Sequence, residues 1–249
     1  IVTPADHMIT RENEFEKSVR AGFDFVESND ALLTLGITPT RPETGYGYIQ
    51  IGEHVKDSIS KVKTFTEKPE LEMAKVFLAT GEFFWNSGIF IWTAKSIMSA
   101  LSEHTPEIAS IFASVPPETY LDHERETEFI DRVFPTCKNI SIDYSVMEVA
   151  SNVYVETVSF GWSDLGTWSA LFDLSPKNND NNVTQNCNVL AYNCSGNIFA
   201  VRGEKLIVAD GLENYIVADA DGVLLICRMD REQKIKQMVT DARIKFGDK

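Results

Sequence analysis

The stretch FFWNSGIFIW at residues 83–92 indicates the fold, because its density of aromatic and β-branched residues favours a buried strand. Helical patterns flank it at residues 71–80 and 94–103. Two earlier stretches, ALLTLGI (31–37) and GYGYIQIG (45–52), also have the character of strands. Strands that are interleaved with helices predict an α/β domain with a Rossmann-like, mainly parallel sheet.

Further helices and strands continue this alternation on both sides. Apolar residues recur at helical spacing from Arg11 to Asn29, with Thr10 as the expected N-cap. Helical patterns dominate again from Pro106 to Ala150, where SIDYSVMEVA is among the clearest, and TWSALFDL begins another helix. VKTFTEKP and VYVETVSF add strands, so the α/β pattern extends beyond the central segment.

The pattern changes at SPKNNDNN (175–182), a polar stretch that we interpret as a linker. Beyond it, the short strands NVLAYN, NIFAVR, KLIVAD, YIVADA and GVLLICR are separated by Gly, Asn and Asp turns. This rhythm predicts a small all-β unit, a short sheet or a β-helix-like turn. We therefore expect an α/β domain over residues 1–176 and a β-rich domain over residues 177–249.

The net charge of −14 argues against a general nucleic-acid binder, because such proteins usually carry a basic surface. The four cysteines show no C-x-x-C spacing, which favours a reducing compartment. No apolar run approaches the length of a membrane span, and the first residues lack the pattern of a signal peptide. We therefore expect a cytoplasmic protein that acts on neither nucleic acid nor membrane.

Five short motifs occur in one order along the chain: PADH (4–7), GYGYI (45–49), FTEKP (65–69), WNSGIF (85–90) and WSDLGTW (162–168). Each motif alone is weak, because strings of this length recur by chance. Together, in this order and approximate spacing, they resemble the sugar nucleotidyltransferase family. Members of that family join a nucleoside triphosphate to a sugar 1-phosphate.

WNSGIF and WSDLGTW, with SIDYSVME between them, resemble the branch of this family that uses GTP and mannose 1-phosphate. The tail from Asn182 to Val239 resembles the β-rich extension of its bacterial members. The resemblance thus implies an enzyme that forms GDP-mannose and pyrophosphate; the residues alone select neither base nor sugar. Two alternatives remain open: another hexose-1-phosphate nucleotidyltransferase, or a non-catalytic subunit that binds sugar nucleotide or serves in assembly.

The family's glycine-rich loop, G-G-x-G-x-R-L-x-P-L-S, does not occur in this sequence. The chain opens with IVTPADH, which has the character of a buried strand running into a loop. We therefore expect the chain to be a fragment that is truncated at its start; the alternative is that the protein as given cannot catalyse.

Two aspartates are expected to hold a metal ion. By resemblance, Asp6 of PADH and Asp164 of WSDLGTW are catalytic and bind Mg²⁺, which prefers one or two carboxylates together with phosphate oxygens and water. The alternative for both is an ordinary turn residue. His7 is interpreted as structural, because a phosphate nucleophile is already ionised and needs little proton transfer.

The remaining motifs are expected to bind the sugar phosphate. By resemblance, Tyr46 and Gly47 lie against the hexose, Glu67 accepts hydrogen bonds from its hydroxyl groups, and Lys68 is a catalytic cation for its phosphate. A tight turn and an exposed charge pair are the alternatives. Asn86, inside an apolar strand, either bonds to neighbouring backbone or faces a cleft and binds a sugar hydroxyl.

The β-rich tail is expected to form a homodimer contact. Its short strands would otherwise leave exposed edges, which proteins usually cover. The other partners implied by the resemblance are GTP and mannose 1-phosphate.

Overall fold

In a computed structural model of the protein, the described residues are 1–203, 205–220 and 222–247. The chain divides into two compact units, Ile1–Ala5 with Ile9–Trp162, and Asp6–Met8 with Ser163–Lys249. The domain boundary between residues 176 and 177 stays a prediction. The compact units differ from it in two respects, because residues 6–8 and residues 163–176 lie with the β-rich part.

The first part of the chain alternates strands with helices. Its strands are β1 (Met8–Ile9), β2 (Leu32–Ile37), β3 (Tyr48–Lys56), β4 (Ile59–Thr66), β5 (Phe83–Trp92), β6 (Val153–Val158) and β7 (Trp162–Ser163). Its helices are α1 (Glu12–Ser28), α2 (Leu71–Thr80), α3 (Ala94–His104), α4 (Pro106–Phe112) and α5 (His123–Val133). The predicted α/β class is confirmed.

Five strands form one closed sheet in the order β2-β5-β3-β4-β6, because β6 pairs with both β4 and β2. Only the β2–β6 pair is parallel, and the other four pairs are antiparallel. The expected mainly parallel direction is therefore wrong for this sheet. One reason is local: Asp57 and Ser58 alone connect β3 to β4, and so short a connection permits only an antiparallel pair. β1 and β7 form a separate two-stranded sheet.

Helix α1 packs its apolar face against the sheet. Phe25 and Val26 are buried with Leu33 and Ile91 of the strands. The predicted N-cap is wrong: the capping position is Arg11, and the Thr10 hydroxyl donates to the Gly161 carbonyl at 3.3 Å. The Thr10 side chain is thus directed toward Gly161, and the N-cap residue Arg11 makes no side-chain capping hydrogen bond.

The region from residue 106 to 150 is helical only in pieces. Besides α4 and α5 it contains short 3₁₀ turns and one π-helical turn at Asp143–Met147, where SIDYSVMEVA predicted a longer helix. Val146 and Met147 of this turn are almost fully buried in a core shared with Leu32 and Ile49. Tertiary packing thus fixes the turn firmly on the sheet.

The second unit is built from short stacked strands. Its strands are β8 (Val183–Thr184), β9 (Asn188–Tyr192), β10 (Ile198–Ala200), β11 (Leu206–Asp210), β12 (Tyr215–Ala220) and β13 (Val223–Arg228). Its helices are α6 (Trp168–Leu174) and α7 (Ile235–Phe246). β8, β10 and β12 pair in parallel, as do β9 and β11, while β13 runs antiparallel to β12. This parallel stacking confirms the β-helix-like prediction.

Across the described ranges, no helix has both the length and the apolar character that crossing a membrane requires.

Candidate active site

Three predicted sugar-binding residues lie together in the first unit. The Asn86 N–H donates to the Gly47 carbonyl at 2.8 Å, which joins β5 to the segment before β3. A Cβ atom on residue 47 would overlap Glu67 Oε2 and lie 3.3 Å from Asn86 Cβ. Gly47 is therefore the residue whose missing side chain makes space beside Glu67 and Asn86.

Lys68 and Glu67 form an ion pair at this position. Lys68 Nζ lies 2.5 Å from Glu67 Oε1, with the Glu67 side chain 7% exposed and the Lys68 side chain 59% exposed. Burial raises the pKa of the Glu67 carboxyl and outweighs the opposite effect of the bond from Lys68. That same bond raises the pKa of Lys68. The lysine therefore stays charged, and its exposure leaves it accessible to an anion.

The Lys68 backbone adopts a left-handed conformation with φ of 47°, which is uncommon for a residue other than glycine. Its N–H donates to the Tyr46 carbonyl at 3.2 Å. The FTEKP segment is therefore held against GYGYI by a backbone hydrogen bond.

Tyr46 contributes its side chain to packing. It is 7% exposed, and its ring makes edge contacts with Trp85 and Trp162, with centroids 5.2 and 5.4 Å apart. Tyr46, Trp85 and Trp162 thus form one packed aromatic group. Substrate binding by Tyr46 stays a prediction.

The Asn86 amide is hydrogen-bonded at both ends. Its Oδ1 accepts from the Thr34 hydroxyl at 2.9 Å and from the Gly88 N–H at 3.2 Å. Its Nδ2 donates to Asp143 Oδ1 at 2.9 Å. Sequence reasoning gave no role to Thr34 or to Asp143. For Asp143, the available signal was its place within SIDYSVME, a motif quoted for its resemblance alone.

The two expected metal ligands lie in the second unit. Asp164 directly follows β7, and Asp6 lies two residues before β1, the strand that pairs with β7. The negative charge of each carboxylate favours the protonated form of His7, so both carboxylates lie near its ring. Burial nevertheless lowers the pKa of His7 below its usual value, so the ring is neutral near pH 7. This neutral, half-buried ring fits a structural role for His7.

The loop that carries Asp164 depends on a glycine. A Cβ atom on Gly166 would lie 2.8 Å from Asp164 Oδ2. Leu165 adopts a φ of 50°, and its N–H donates to the Ser163 hydroxyl at 3.2 Å. Gly166 therefore leaves the space that the Asp164 carboxylate occupies.

The acidic residues suit a cation that is held mainly by its substrate. Within residues 1–203, 205–220 and 222–247, no three His, Cys, Asp or Glu side chains are grouped so as to hold a metal ion by themselves. Two aspartates are the protein contribution that Mg²⁺ commonly uses when phosphate oxygens and water supply the other ligands. Asp6 and Asp164 therefore fit this type of site, and their metal role stays a prediction.

The family profile described as "Nucleotidyl transferase" matches residues 1–181. The chain belongs to the nucleotidyl transferase family. This confirms the family resemblance carried by the five motifs. Members of the nucleotidyl transferase family generally use a divalent metal, which agrees with the acidic character of the Asp6 and Asp164 pair.

Curated members of the family are identical to this chain at about a third of the aligned positions. Mannose-1-phosphate guanylyltransferase of Escherichia coli is 34% identical over 246 residues, which cover 96% of this chain and 52% of that protein. Putative mannose-1-phosphate guanylyltransferase of Vibrio cholerae is 35% identical over 239 residues, covering 96% of this chain and 50% of that protein. The chain thus spans about half the length of the curated relatives it matches.

The fold of this family member also occurs in a solved structure. A crystal structure from Thermus thermophilus, whose protein is named "mannose-1-phosphate geranyltransferase", matches with a TM-score of 0.78 and 25% identity, covering 97% of this chain and 69% of that one. The match extends over nearly the whole chain, so both the α/β part and the β-rich part have counterparts there.

Proposed function

We propose that the protein containing this chain transfers a guanylyl group from GTP to mannose 1-phosphate, giving GDP-mannose and pyrophosphate. The observation that carries the proposal is the convergence of Gly47, Glu67 and Asn86, with the exposed cation of Lys68 beside them. A carboxylate and an amide suit sugar hydroxyl groups, and an exposed ammonium suits the phosphate. The names of the curated relatives support GTP and mannose 1-phosphate as the substrates.

The reaction forms one bond and breaks another at the α-phosphorus of GTP. An oxygen of the sugar phosphate attacks this phosphorus in line, and the bond to the β-phosphate oxygen breaks to release pyrophosphate. Because the nucleophile is already an anion, the protein has to position it and reduce charge repulsion rather than remove a proton. Lys68 would hold the acceptor phosphate, while Glu67 and Asn86 would orient the hexose.

Asp6 and Asp164 would hold Mg²⁺, which when bound neutralises phosphate charge. Their contribution would be to present two carboxylates to the ion, and Gly166 leaves space for that of Asp164. Asp164→Ala should therefore nearly abolish turnover without changing the melting temperature. Asp180→Ala, which removes an exposed aspartate of the same unit, is the control. Normal turnover of Asp164→Ala would remove this residue from the proposed metal site.

The activity is tested by assaying the full-length protein with each nucleoside triphosphate against mannose 1-phosphate and glucose 1-phosphate. We expect pyrophosphate release to be fastest with GTP and mannose 1-phosphate. A faster reaction with another pair would support a different hexose-1-phosphate nucleotidyltransferase. Binding of sugar nucleotide without any pyrophosphate release would support the non-catalytic subunit.

We also propose that the β-rich unit forms a homodimer through one face of the β9–β11 pair. Leu190 and Tyr192 of β9 and Leu206 and Val208 of β11 point outward and are 45–64% exposed. Val208 lies directly opposite Leu190 in the parallel register, so the four side chains form one apolar strip. Such a strip is typical of a protein contact, and a second copy can cover it symmetrically.

The dimer is tested by Leu206→Lys together with Val208→Lys, using light scattering after size-exclusion chromatography. We expect a monomer. Leu121→Lys is the control, because Leu121 is also an exposed leucine, 86% exposed, but lies outside the strip. A double variant with the unchanged mass of a dimer would refute this interface.

We further propose a cytoplasmic location. All four cysteines, at residues 137, 187, 194 and 227, are free thiols, which is typical of a reducing compartment. Fractionation of cells that express the full-length protein tests this, and recovery with an extracellular or membrane fraction would contradict it.

A further inference from the structure

The SIDYSVME motif (141–148) contacts the sugar-binding group at two points. Asp143 accepts a hydrogen bond from the Asn86 amide at 2.9 Å, and Glu148 Oε1 accepts one from the Glu67 N–H at 3.3 Å. Asp143 is 57 residues away from Asn86 along the chain. Both contacts therefore depend on the fold and have no local cause.

The motif is a rigid support for these contacts. Its π-helical turn closes with a hydrogen bond from the Glu148 N–H to the Asp143 carbonyl at 2.9 Å. Between these two residues, Val146 and Met147 are at most 1% exposed and pack in the core of the sheet. π-Helical turns are rare and occur frequently at functional sites. Here Val146 and Met147 fix the middle of the turn in the core. Asp143 and Glu148 at its two ends contact the sugar-binding group.

Asp143 gives the Asn86 amide a single orientation. The amide oxygen faces two donors, the Thr34 hydroxyl and the Gly88 N–H, and the amide nitrogen faces the Asp143 carboxylate. If the amide were turned over, its nitrogen would face the Gly88 N–H and its oxygen would face the Asp143 carboxylate. Neither pair can form a hydrogen bond. One Nδ2 hydrogen is bonded to Asp143, so the second can serve another acceptor.

We infer that Asp143 is a positioning residue that fixes the Asn86 amide so that it donates to a hydroxyl group of the hexose 1-phosphate. The inference rests on the proposed function, because it assigns Asn86 to the acceptor sugar. Sites that recognise polar ligands depend on such supporting hydrogen bonds, since a side chain held in one orientation loses less freedom on binding. The SIDYSVME motif would then influence binding of the acceptor sugar indirectly, through the residues that touch the sugar.

The inference is tested in the full-length protein with Asp143→Ala and Asp143→Asn. Asp143→Ala should raise the KM for mannose 1-phosphate about tenfold or more, since it removes a hydrogen bond to a charged group. The KM for GTP should change by less than about twofold, which is the size of effect expected of an unrelated surface substitution. Asp143→Asn should restore most of the affinity, because its amide oxygen can still accept from Asn86.

A double-mutant cycle with Asn86→Ala separates positioning from direct contact. If Asp143 acts through Asn86, Asp143→Ala should add less than about a twofold loss in the Asn86→Ala background. If the losses of the two single variants multiply in the double variant, the inference is overturned, because Asp143 would then act independently of Asn86. An unchanged KM for mannose 1-phosphate in Asp143→Ala would overturn it as well.

Two controls complete the experiment. Asp131→Ala removes an exposed carboxylate from α5, and its KM for mannose 1-phosphate should equal that of the wild type. A lower melting temperature in Asp143→Ala without any change in KM would assign Asp143 a purely structural role. If the wild type itself forms no GDP-mannose, the proposed function fails, and direct titration of the variants with mannose 1-phosphate still tests the positioning.

Discussion

Gly47 lies so close to Glu67 that a methyl group on residue 47 would overlap the Glu67 carboxylate. The backbone at Gly47 does not have a positive φ, so alanine is conformationally allowed there. Gly47→Ala should therefore fold normally but displace the Glu67 side chain. We expect the KM for mannose 1-phosphate to rise about tenfold, as when a hydrogen bond to a charged group is lost. Steady-state kinetics on the full-length protein measure this, and an unchanged KM would contradict a role for Glu67 in sugar binding.

The sequence motifs anticipated the contact between Gly47, Glu67 and Asn86 because each residue lies in a short, recognisable string. They did not anticipate Asp143, whose hydrogen bond to Asn86 spans 57 residues. Strand direction was also missed. Interleaved helices favour parallel strands, but β5 runs antiparallel to both β2 and β3, a choice that depends on long-range pairing. Local strand patterns were enough for the β-rich unit, because its repeated short strands stack on one another.

The loop that carries Asp164 supplies a second prediction. In Gly166→Ala the new Cβ atom would lie 2.8 Å from Asp164 Oδ2, so the carboxylate must move. We expect turnover to fall at least about tenfold, because misplacing a charge-stabilising group costs a large share of its effect. The concentration of Mg²⁺ that gives half-maximal rate should rise. Gly203→Ala is the comparison: it strains a backbone with φ of 89° in the same unit, but among the described residues no atom outside its chain neighbours lies within 4 Å of its added Cβ. Equal metal dependence in the two variants would contradict the proposed role of Asp164.

Two buried asparagines hold the second unit together. Asn197 is fully buried, and its Nδ2 donates to Asn182 Oδ1 and to the Leu212 carbonyl, both at 2.8 Å. Its Oδ1 accepts from the Tyr215 N–H at 2.8 Å. Asn197→Asp keeps the shape of the side chain but replaces the Nδ2 donor with a carboxylate oxygen. That oxygen would face two other acceptors, Asn182 Oδ1 and the Leu212 carbonyl. We expect the free energy of unfolding of this unit to fall by about 3 kcal/mol or more. Urea denaturation measures it, with the exposed Asn179→Asp of the same unit as control.

Glu156 makes the stability of the protein depend on pH. It lies on β6 with 3% exposure; its Oε1 is 3.4 Å from the Ser58 hydroxyl, and its Oε2 has no hydrogen-bond partner in the described structure. Burial raises the pKa of this carboxyl from 4.5 to about 7. Since the folded state holds the proton more tightly than the unfolded state, this stabilising contribution is complete below about pH 4.5 and is lost as the pH rises through about 7.

Glu156→Gln removes this titration, because the amide stays neutral at every pH in that range. Above about pH 7 the variant should be more stable than the wild type, by an amount on the order of 3 kcal/mol for a shift of this size. Below about pH 4.5 the two should differ little, since the wild-type carboxyl is then protonated in both states. Urea denaturation of both proteins across this range measures the difference, and other titrating groups cancel because they are common to both. A difference that stays constant with pH would show that Glu156 ionises in the folded protein as it does in the unfolded chain.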